Sequence, residues 1–488
     1  MKLFELFKDV KIKCNNVDLN IEIKGISSDS RCVKKGDVFV AIKGENRDGN
    51  NYIEEAIQNG AKVIISDQPS KFLKIPYIYV NNAREALAKI WSAYYKNPTK
   101  DMKIIAITGT NGKTSSAYIL YSILKSAKKS RGLISTIECL INDETYNING
   151  GGEVLDIPSA MTTPDPSVLY EVFHEMKQSG VEYVIMEASS HAISQHKLAG
   201  TNIYIGAFTN LSPEHLDFHK SIDNYFDSKR ELFKSCKIGI INIDDKFGEK
   251  IKKEHPKSKT FSLKNRADFN VEKIDYLDTG CAILSNLQGE IVKIESKLTG
   301  VFVPYNVMLA VSCAKVLNID NDSIKKGVLA CDYISGRMER VSNNIFIDYA
   351  HTPKAMENVL ISIKNLYGNK RIIALFGCGG DRDKEKRKHM GEIASKYCDE
   401  IIITSDNSRG ENTLSIMRDI ISGVDKFKPH FMIPKRKDAI TFAVKKLKEN
   451  EILLLLGKGH EKYEINNTGK HYFDEREIIK EARSNVQN

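Results

Sequence analysis

Residues 104–114 read Ile104-Ile105-Ala106-Ile107-Thr108-Gly109-Thr110-Asn111-Gly112-Lys113-Thr114, an apolar run, a turn with two glycines, and a Lys-Thr pair from which a helix continues. A buried strand that passes through glycines into a helix N-terminus makes a phosphate cradle, because the glycines let backbone N–H groups approach the oxygens and the helix dipole adds positive charge. Lys113 then reaches the β- and γ-phosphates, and the Thr114 hydroxyl can ligate Mg²⁺. The eight-residue form of this loop needs a glycine at 107, where Ile107 stands, so the motif is the shorter Gly-x-x-Gly-Lys-Thr. It predicts an α/β nucleotide-binding domain and names no reaction.

Outward from that loop, apolar segments at 181–187, 203–209 and 238–243 alternate with helical stretches, the pattern of a parallel sheet covered on both faces. A second α/β series follows at 345–349, 372–376, 401–404 and 452–456, and each segment ends in a polar or glycine-rich loop, where doubly wound sheets bind ligands. Between the two series, residues 258–298 alternate without a helical period and turn at Asp278-Thr-Gly280 and Gln288-Gly289, so a β-rich appendage is expected there. Towards the N-terminus, Ala86, Leu87, Ile90, Trp91 and Tyr94 share one helical face before Asn97-Pro98 ends it. The prediction is α/β in three domains: 1–97, a central phosphate-loop domain at 98–332, and a Rossmann-like domain at 333–488.

The 488 residues are too many for one core at roughly 100–200 residues per domain. The apolar run 452–456 is five residues long, against ~18 for a membrane-spanning helix, and Glu5 interrupts any export signal, so a cytoplasmic chain with no membrane span is expected. Nine scattered cysteines without a Cys-x-x-Cys pair indicate neither a disulfide framework nor a zinc site. The net charge of +9 comes from lysines interleaved with acids, which argues against a nucleic-acid partner and suits anionic small substrates.

The blocks Thr108 to Thr114, Met186-Glu-Ala-Ser-Ser-His191, Thr209-Asn-Leu-Ser-Pro-Glu-His215, Gly336-Arg-Met-Glu339, Asp348-Tyr-Ala-His-Thr-Pro353 and Leu456-Gly-Lys-Gly-His-Glu461 closely resemble, in this order, those of the Mur ligases, ATP-dependent amide-forming enzymes of peptidoglycan synthesis. The resemblance spans nearly the whole chain. Asp29-Ser-Arg31 and Gly377-Cys-Gly-Gly-Asp-Arg382 are similar to the branch that adds the third residue of the peptide.

That resemblance implies an ADP-forming ligation of meso-2,6-diaminopimelate to UDP-N-acetylmuramoyl-L-alanyl-D-glutamate through an acyl phosphate, with ATP and Mg²⁺ required. It implies ATP contacts at Gly109, Thr110, Asn111, Gly112, Lys113, Thr114, Ser115, Asn306, Arg337 and Asp348. Metal ligands would be Thr114, Glu187, His215 and Lys229, the last as a carbamate. From its helical setting alone Lys229 reads as a surface cation, and Glu187 as either a metal ligand or a strand-end cap. Lys113 and Mg²⁺, with His351 or Lys458, are implied as stabilisers of charge during the reaction. The UDP-MurNAc-dipeptide would be held at its uridine end by Ser28, Ser30, Glu45, Asn46 and Arg47, and at its sugar-peptide end by Thr162, Thr163, Ser189, Gln195 and Lys197. The incoming diamino acid would meet Arg382, Asp406, Asn407, Ser408, Arg409, Gly457 and Glu461.

Three positions depart from the family: Val303 stands for Asn, Lys197 for Arg, and Ser408 for the Pro that fixes φ ahead of Arg409. Lysine or another diamino acid as substrate, a folylpolyglutamate-type ligase, and a non-enzymatic phosphate-loop protein remain the alternatives; a monomer is expected.

Overall fold

The computed structural model describes residues 1–13, 17–44, 47–69, 75–150, 153–155, 162–214, 216–277 and 279–484. The chain divides into two units, Met1–Asp268 with Leu309–Ser323, and Phe269–Met308 with Ile324–Asn488. Among the described residues no helix is long and apolar enough to cross a membrane.

The first unit holds a small sheet and a large one. In the small sheet Ile26–Ser27, Val38–Ala41, Val63–Ser66 and Tyr77–Tyr79 lie side by side and parallel. The helix Ala83–Tyr94 covers it, capped by the Asn82 side chain and burying Ala86, Leu87 and Ile90. In the large sheet the parallel order is Lys259–Ser262, Ile238–Asn242, Ile203–Phe208, Lys103–Thr108, Tyr183–Glu187 and Arg131–Ile134. These strands are runs of Ile, Val and Ala because helices bury both faces. Register sets Glu187 opposite Ile107 and Phe208 opposite Thr108. Three strands therefore end level, and the loops after 108, 187 and 208 open together.

In the second unit Phe269–Leu277, Gly280–Leu287 and Glu290–Ser296 form the expected antiparallel meander. Its second turn puts Gln288 and Gly289 both at positive φ, which matches the right-handed twist of a tight hairpin. The C-terminal sheet runs Glu339–Ser342, Ile345–Asp348, Glu451–Leu456, Arg371–Phe376, Glu400–Ile403 and His430–Met432, parallel from the second strand on. Its two apolar layers lie on opposite faces.

Helices Glu385–Tyr397 and Thr413–Ile421 pack closely at Gly391, where a Cβ would run into the Ile420 carbonyl. Alanine would gain about 1 kcal/mol of helix propensity, but forcing a methyl against backbone that cannot rotate away costs ~1–3 kcal/mol. Gly391→Ala is therefore expected to lower the thermal unfolding temperature, and a rise would refute the contact.

Candidate active site

The helix Lys113–Ser126 starts at Gly112, whose φ of 85° belongs to glycine, so no side chain covers its first N–H groups. Gly109, at φ 145°, has no room for a Cβ because Thr209 lies against it. The loop is clamped by the neighbouring strand end. Thr110 N donates to Asn210 O (2.8 Å), and the Asn210 side chain exchanges bonds with Asn111 N and O (3.1 Å each). Lys113 Nζ donates to the carbonyls of Gly109 (2.9 Å) and Thr110 (2.8 Å).

Glu187, at 0% exposure, ends the adjacent strand, and its carboxylate accepts from Thr114 Oγ1 (3.0 Å), Thr136 N (2.9 Å) and Thr136 Oγ1 (3.2 Å). Among the described residues no cation pairs with it, and no group of three His, Cys, Asp or Glu side chains gathers into a metal cage. A buried carboxylate beside a threonine hydroxyl is an all-oxygen donor set, which suits a Mg²⁺ that keeps waters and phosphate oxygens for its other positions.

Lys229 is where local and tertiary readings part. In the helix Ile222–Ser235 it stands amid Tyr225, Phe226, Leu232 and Phe233, all buried, so it lies in the apolar stripe and is itself 1% exposed. The surface-cation reading fails on that spacing. Its Nζ donates to Gly109 O (2.8 Å), the oxygen Lys113 also uses, over the Tyr225 ring. Burial first, and then the Lys113 charge, hold its pKa well below the usual lysine value.

Next to Glu187, Thr163 Oγ1 donates to the Glu187 carbonyl (2.9 Å) and accepts from Ser189 N (3.0 Å), and Thr162 Oγ1 lies 3.2 Å from Thr136 Oγ1. Ser189 caps the helix Ser190–Ser194, and Gln195 follows its end. Lys197 is buried and ion-paired with Asp165 at 2.7 Å. In the small sheet's loops Ser28 and Arg47 are exposed, whereas Ser30 is buried and donates to Glu55 (2.7 Å). Glu45, Asn46 and His215 lie outside the described residues.

In the second unit the functional side chains gather at the carboxyl ends of the C-terminal sheet. Asp348 accepts from Met338 N (2.7 Å) and Ala350 N (2.8 Å), and burial raises its pKa against the pull of Arg337, whose guanidinium lies over the Tyr349 ring. His351 Nδ1 lies 2.9 Å from Tyr349 O. Asn306 is half-buried in the first turn of Val303–Val316.

Asn407 organises the loops that follow Glu400–Ile403 and Glu451–Leu456. Its Nδ2 donates to Glu461 (2.8 Å), its backbone carbonyl accepts from Arg409 Nη1 (3.2 Å), and its Oδ1 accepts from Lys458 Nζ and Ile465 N (2.9 Å each). Arg409 adopts a left-handed φ of 51° and is held by Gly380 O through its side chain (3.0 Å) and Ile465 O through its N–H (3.1 Å). Hydrogen bonds thus fix this residue where the family relies on a preceding proline. Gly457, at φ 109°, lies against the Asp406 carboxylate; Ser408 is buried and Arg382 exposed. Lys458 is 0% exposed and also donates to Tyr463 O (2.7 Å), so its charge is turned into these loops.

The chain matches the Mur ligase family catalytic domain over residues 22–95, the Mur ligase middle domain over 107–314 and the Mur ligase glutamate ligase domain over 336–459. The UDP-N-acetylmuramoyl-L-alanyl-D-glutamate--2,6-diaminopimelate ligase of Caldanaerobacter subterraneus subsp. tengcongensis is 40% identical, covering 99% of this chain and 98% of its own. The chain belongs to the Mur ligase family.

A second Mur ligase of the same description, from Clostridium tetani, is 38% identical over 99% of both chains. The solved structure of a UDP-N-acetylmuramoyl-L-alanyl-D-glutamate--2,6-diaminopimelate ligase superposes with a TM-score of 0.71 at 28% identity, over 100% of this chain and 99% of that one. As a Mur ligase the protein is an enzyme, an ATP-dependent ligase with the α/β fold read from its sequence. Sequence reasoning about this Mur ligase missed two supports. Thr136, at the end of Arg131–Ile134, fixes Glu187; its strand-end position was the signal. The other is Arg436, whose guanidinium pairs with Glu475 (2.7 Å) and donates to Ser405 O (3.0 Å) and Leu456 O (2.9 Å) with both partners at 0–1% exposure; nothing local in the sequence marks that pair.

Proposed function

We propose that this ligase joins meso-2,6-diaminopimelate to UDP-N-acetylmuramoyl-L-alanyl-D-glutamate with cleavage of ATP to ADP and phosphate, in the cytoplasmic stage of peptidoglycan synthesis. The observation that carries the choice of amino acid is that one residue, Asn407, holds both an arginine and a carboxylate. Diaminopimelate ends in an ammonium and a carboxylate on one carbon, so its distal end needs an anion and a cation together; lysine brings the ammonium alone. Glu461 supplies the first and Arg409 the second. The three family matches support domain limits of 1–97, 98–332 and 333–488.

In this reading the open N-terminus of Lys113–Ser126 and Lys113 bind the β- and γ-phosphates of ATP, and Asn210 keeps the loop shaped for them. Thr114 and Glu187 would hold Mg²⁺, with Lys229 as a carbamate and His215 as the further ligands implied by the family. Bound there, the ion would neutralise charge on the phosphoryl group in transit. The Lys229 amine, whose pKa burial lowers, would in its neutral form add CO₂ to form the N–C bond and release one proton. Thr162, Thr163, Ser189, Gln195 and Lys197 would orient the dipeptide so that its D-Glu γ-carboxylate takes the phosphoryl group, and the amine of the incoming amino acid then displaces phosphate to leave the amide.

Product mass spectrometry after offering diaminopimelate isomers, lysine and ornithine together tests the assignment; a lysine-containing product formed with equal or better kcat/KM overturns it. Arg409→Ala should raise KM for diaminopimelate about 10- to 100-fold, the ~1.5–3 kcal/mol of a lost charged hydrogen bond, while KM for ATP stays unchanged.

A further inference from the structure

Lys458 has no role in the chemistry just described, yet it is a wholly buried lysine among the groups that would receive the amino acid. We propose that Lys458 is a positioning residue for the distal ammonium of the substrate, acting through Asn407 to orient the Glu461 carboxylate. The proposal rests on the amino-acid site assigned above and deepens it.

The geometry runs as a relay. A lysine ammonium has donors and no acceptor, so the Asn407 amide must turn its oxygen towards Lys458 Nζ (2.9 Å). The Ile465 N–H, 2.9 Å from the same oxygen, enforces the same orientation. The Asn407 NH₂ is thereby aimed at Glu461, where it holds Oε2 at 2.8 Å. Asn407 thus fixes one carboxylate oxygen, and the Tyr463 side chain also hydrogen-bonds the carboxylate. Lys458 Nζ itself stands 3.8 Å from Glu461 Oε2, close enough to act on its charge without capturing it in a direct hydrogen bond. Tyr463 O, at 2.7 Å, anchors the ammonium from the far side.

The charges around Glu461 give this arrangement a function. Asp406, another buried carboxylate, faces it from the loop after Glu400–Ile403, and Tyr349 and Tyr463 face it from two other segments, with Arg409 acting on both tyrosines. Burial is the largest influence and raises the Glu461 pKa; Asp406 raises it further, and Lys458 is the first opposing influence. Without Lys458, Glu461 would hold its proton to higher pH, and a protonated acid cannot balance an ammonium.

The test uses the full-length enzyme, UDP-MurNAc-dipeptide and meso-diaminopimelate. Lys458→Met should raise KM for diaminopimelate at least 10-fold, leave KM for ATP unchanged, and move the acidic limb of kcat/KM for diaminopimelate up by about one pH unit. A merely structural lysine would lower activity without moving that limb. In a Glu461→Gln background, Lys458→Met should add less than a twofold change, because its target is gone. If Lys458→Met does not fold, Asn407→Leu cuts the relay at its other end and should show the same non-additivity. Equal effects in both backgrounds, or an unmoved limb, overturn the relay. Absence of diaminopimelate-dependent phosphate release in the wild-type enzyme would instead overturn the ligase reading, and the relay with it.

Discussion

Lys113→Ala should lower kcat by about 10³-fold or more while leaving the unfolding temperature within a degree or two of the wild type. The size follows from what the ammonium does. Removal of a single preorganised donor aimed at charge that develops in the transition state costs ~10²–10³ in rate, and in the proposed reaction this lysine would bring a full charge to the phosphates. The fold should tolerate the loss because Lys113 is half-buried and bonds the loop carbonyls of Gly109 and Thr110. The Gly109 carbonyl keeps Lys229 Nζ as a partner. Phosphate release and a thermal melt on the same preparation check both halves, and normal turnover would remove the nucleotide site from this loop.

Lys229→Ala should be comparably inactive and, unlike the first variant, partly rescued by short carboxylic acids. A carbamate is an anion at the end of a lysine stem, so a small carboxylate entering the space left by the stem restores the charge. The structure supplies the conditions for the modification: an amine at 1% exposure, with its pKa depressed chiefly by burial and then by Lys113. Once CO₂ is added, the neighbourhood that opposed the cation attracts the product, because Lys113 then faces an anion across the Gly109 carbonyl. Isotope-labelled CO₂ should give a carbamate signal in the wild type that is absent from the variant. Rescue failing together with an absent wild-type signal would leave Lys229 an unmodified buried amine.

The strands of this molecule were legible because a parallel strand covered on both faces is a plain apolar run. The segment expected at 104–108 is Lys103–Thr108, and that expected at 452–456 is Glu451–Leu456. Thr108, Glu187, Asp348 and Leu456 end such strands, so the place of these candidate residues in the fold could be read with them. Lys229 shows the limit of reading residues one at a time: its type says surface, and the stripe of Tyr225, Phe226, Leu232 and Phe233 around it says core. The hydrogen bonds of Lys458 and the Lys197–Asp165 pair were not legible, since their partners meet only after folding.

The buried Arg436–Glu475 pair bears on when the loops of the proposed amino-acid site can order. Arg436 gathers the carbonyls of Ser405 and Leu456, the residues just before the two loops that carry Asp406 to Arg409 and Gly457 to Glu461. On a ribosome all of these are made before Glu475. Until that acid emerges, closing the loops would bury the Arg436 guanidinium without the carboxylate it pairs with, leaving only the more distant charges of Asp406 and Glu464 to act on it. The helix Glu475–Ser484 therefore helps to order both loops from a distance in sequence: a chain cut before residue 475 should keep the strands and lose order at 405–409 and 457–461.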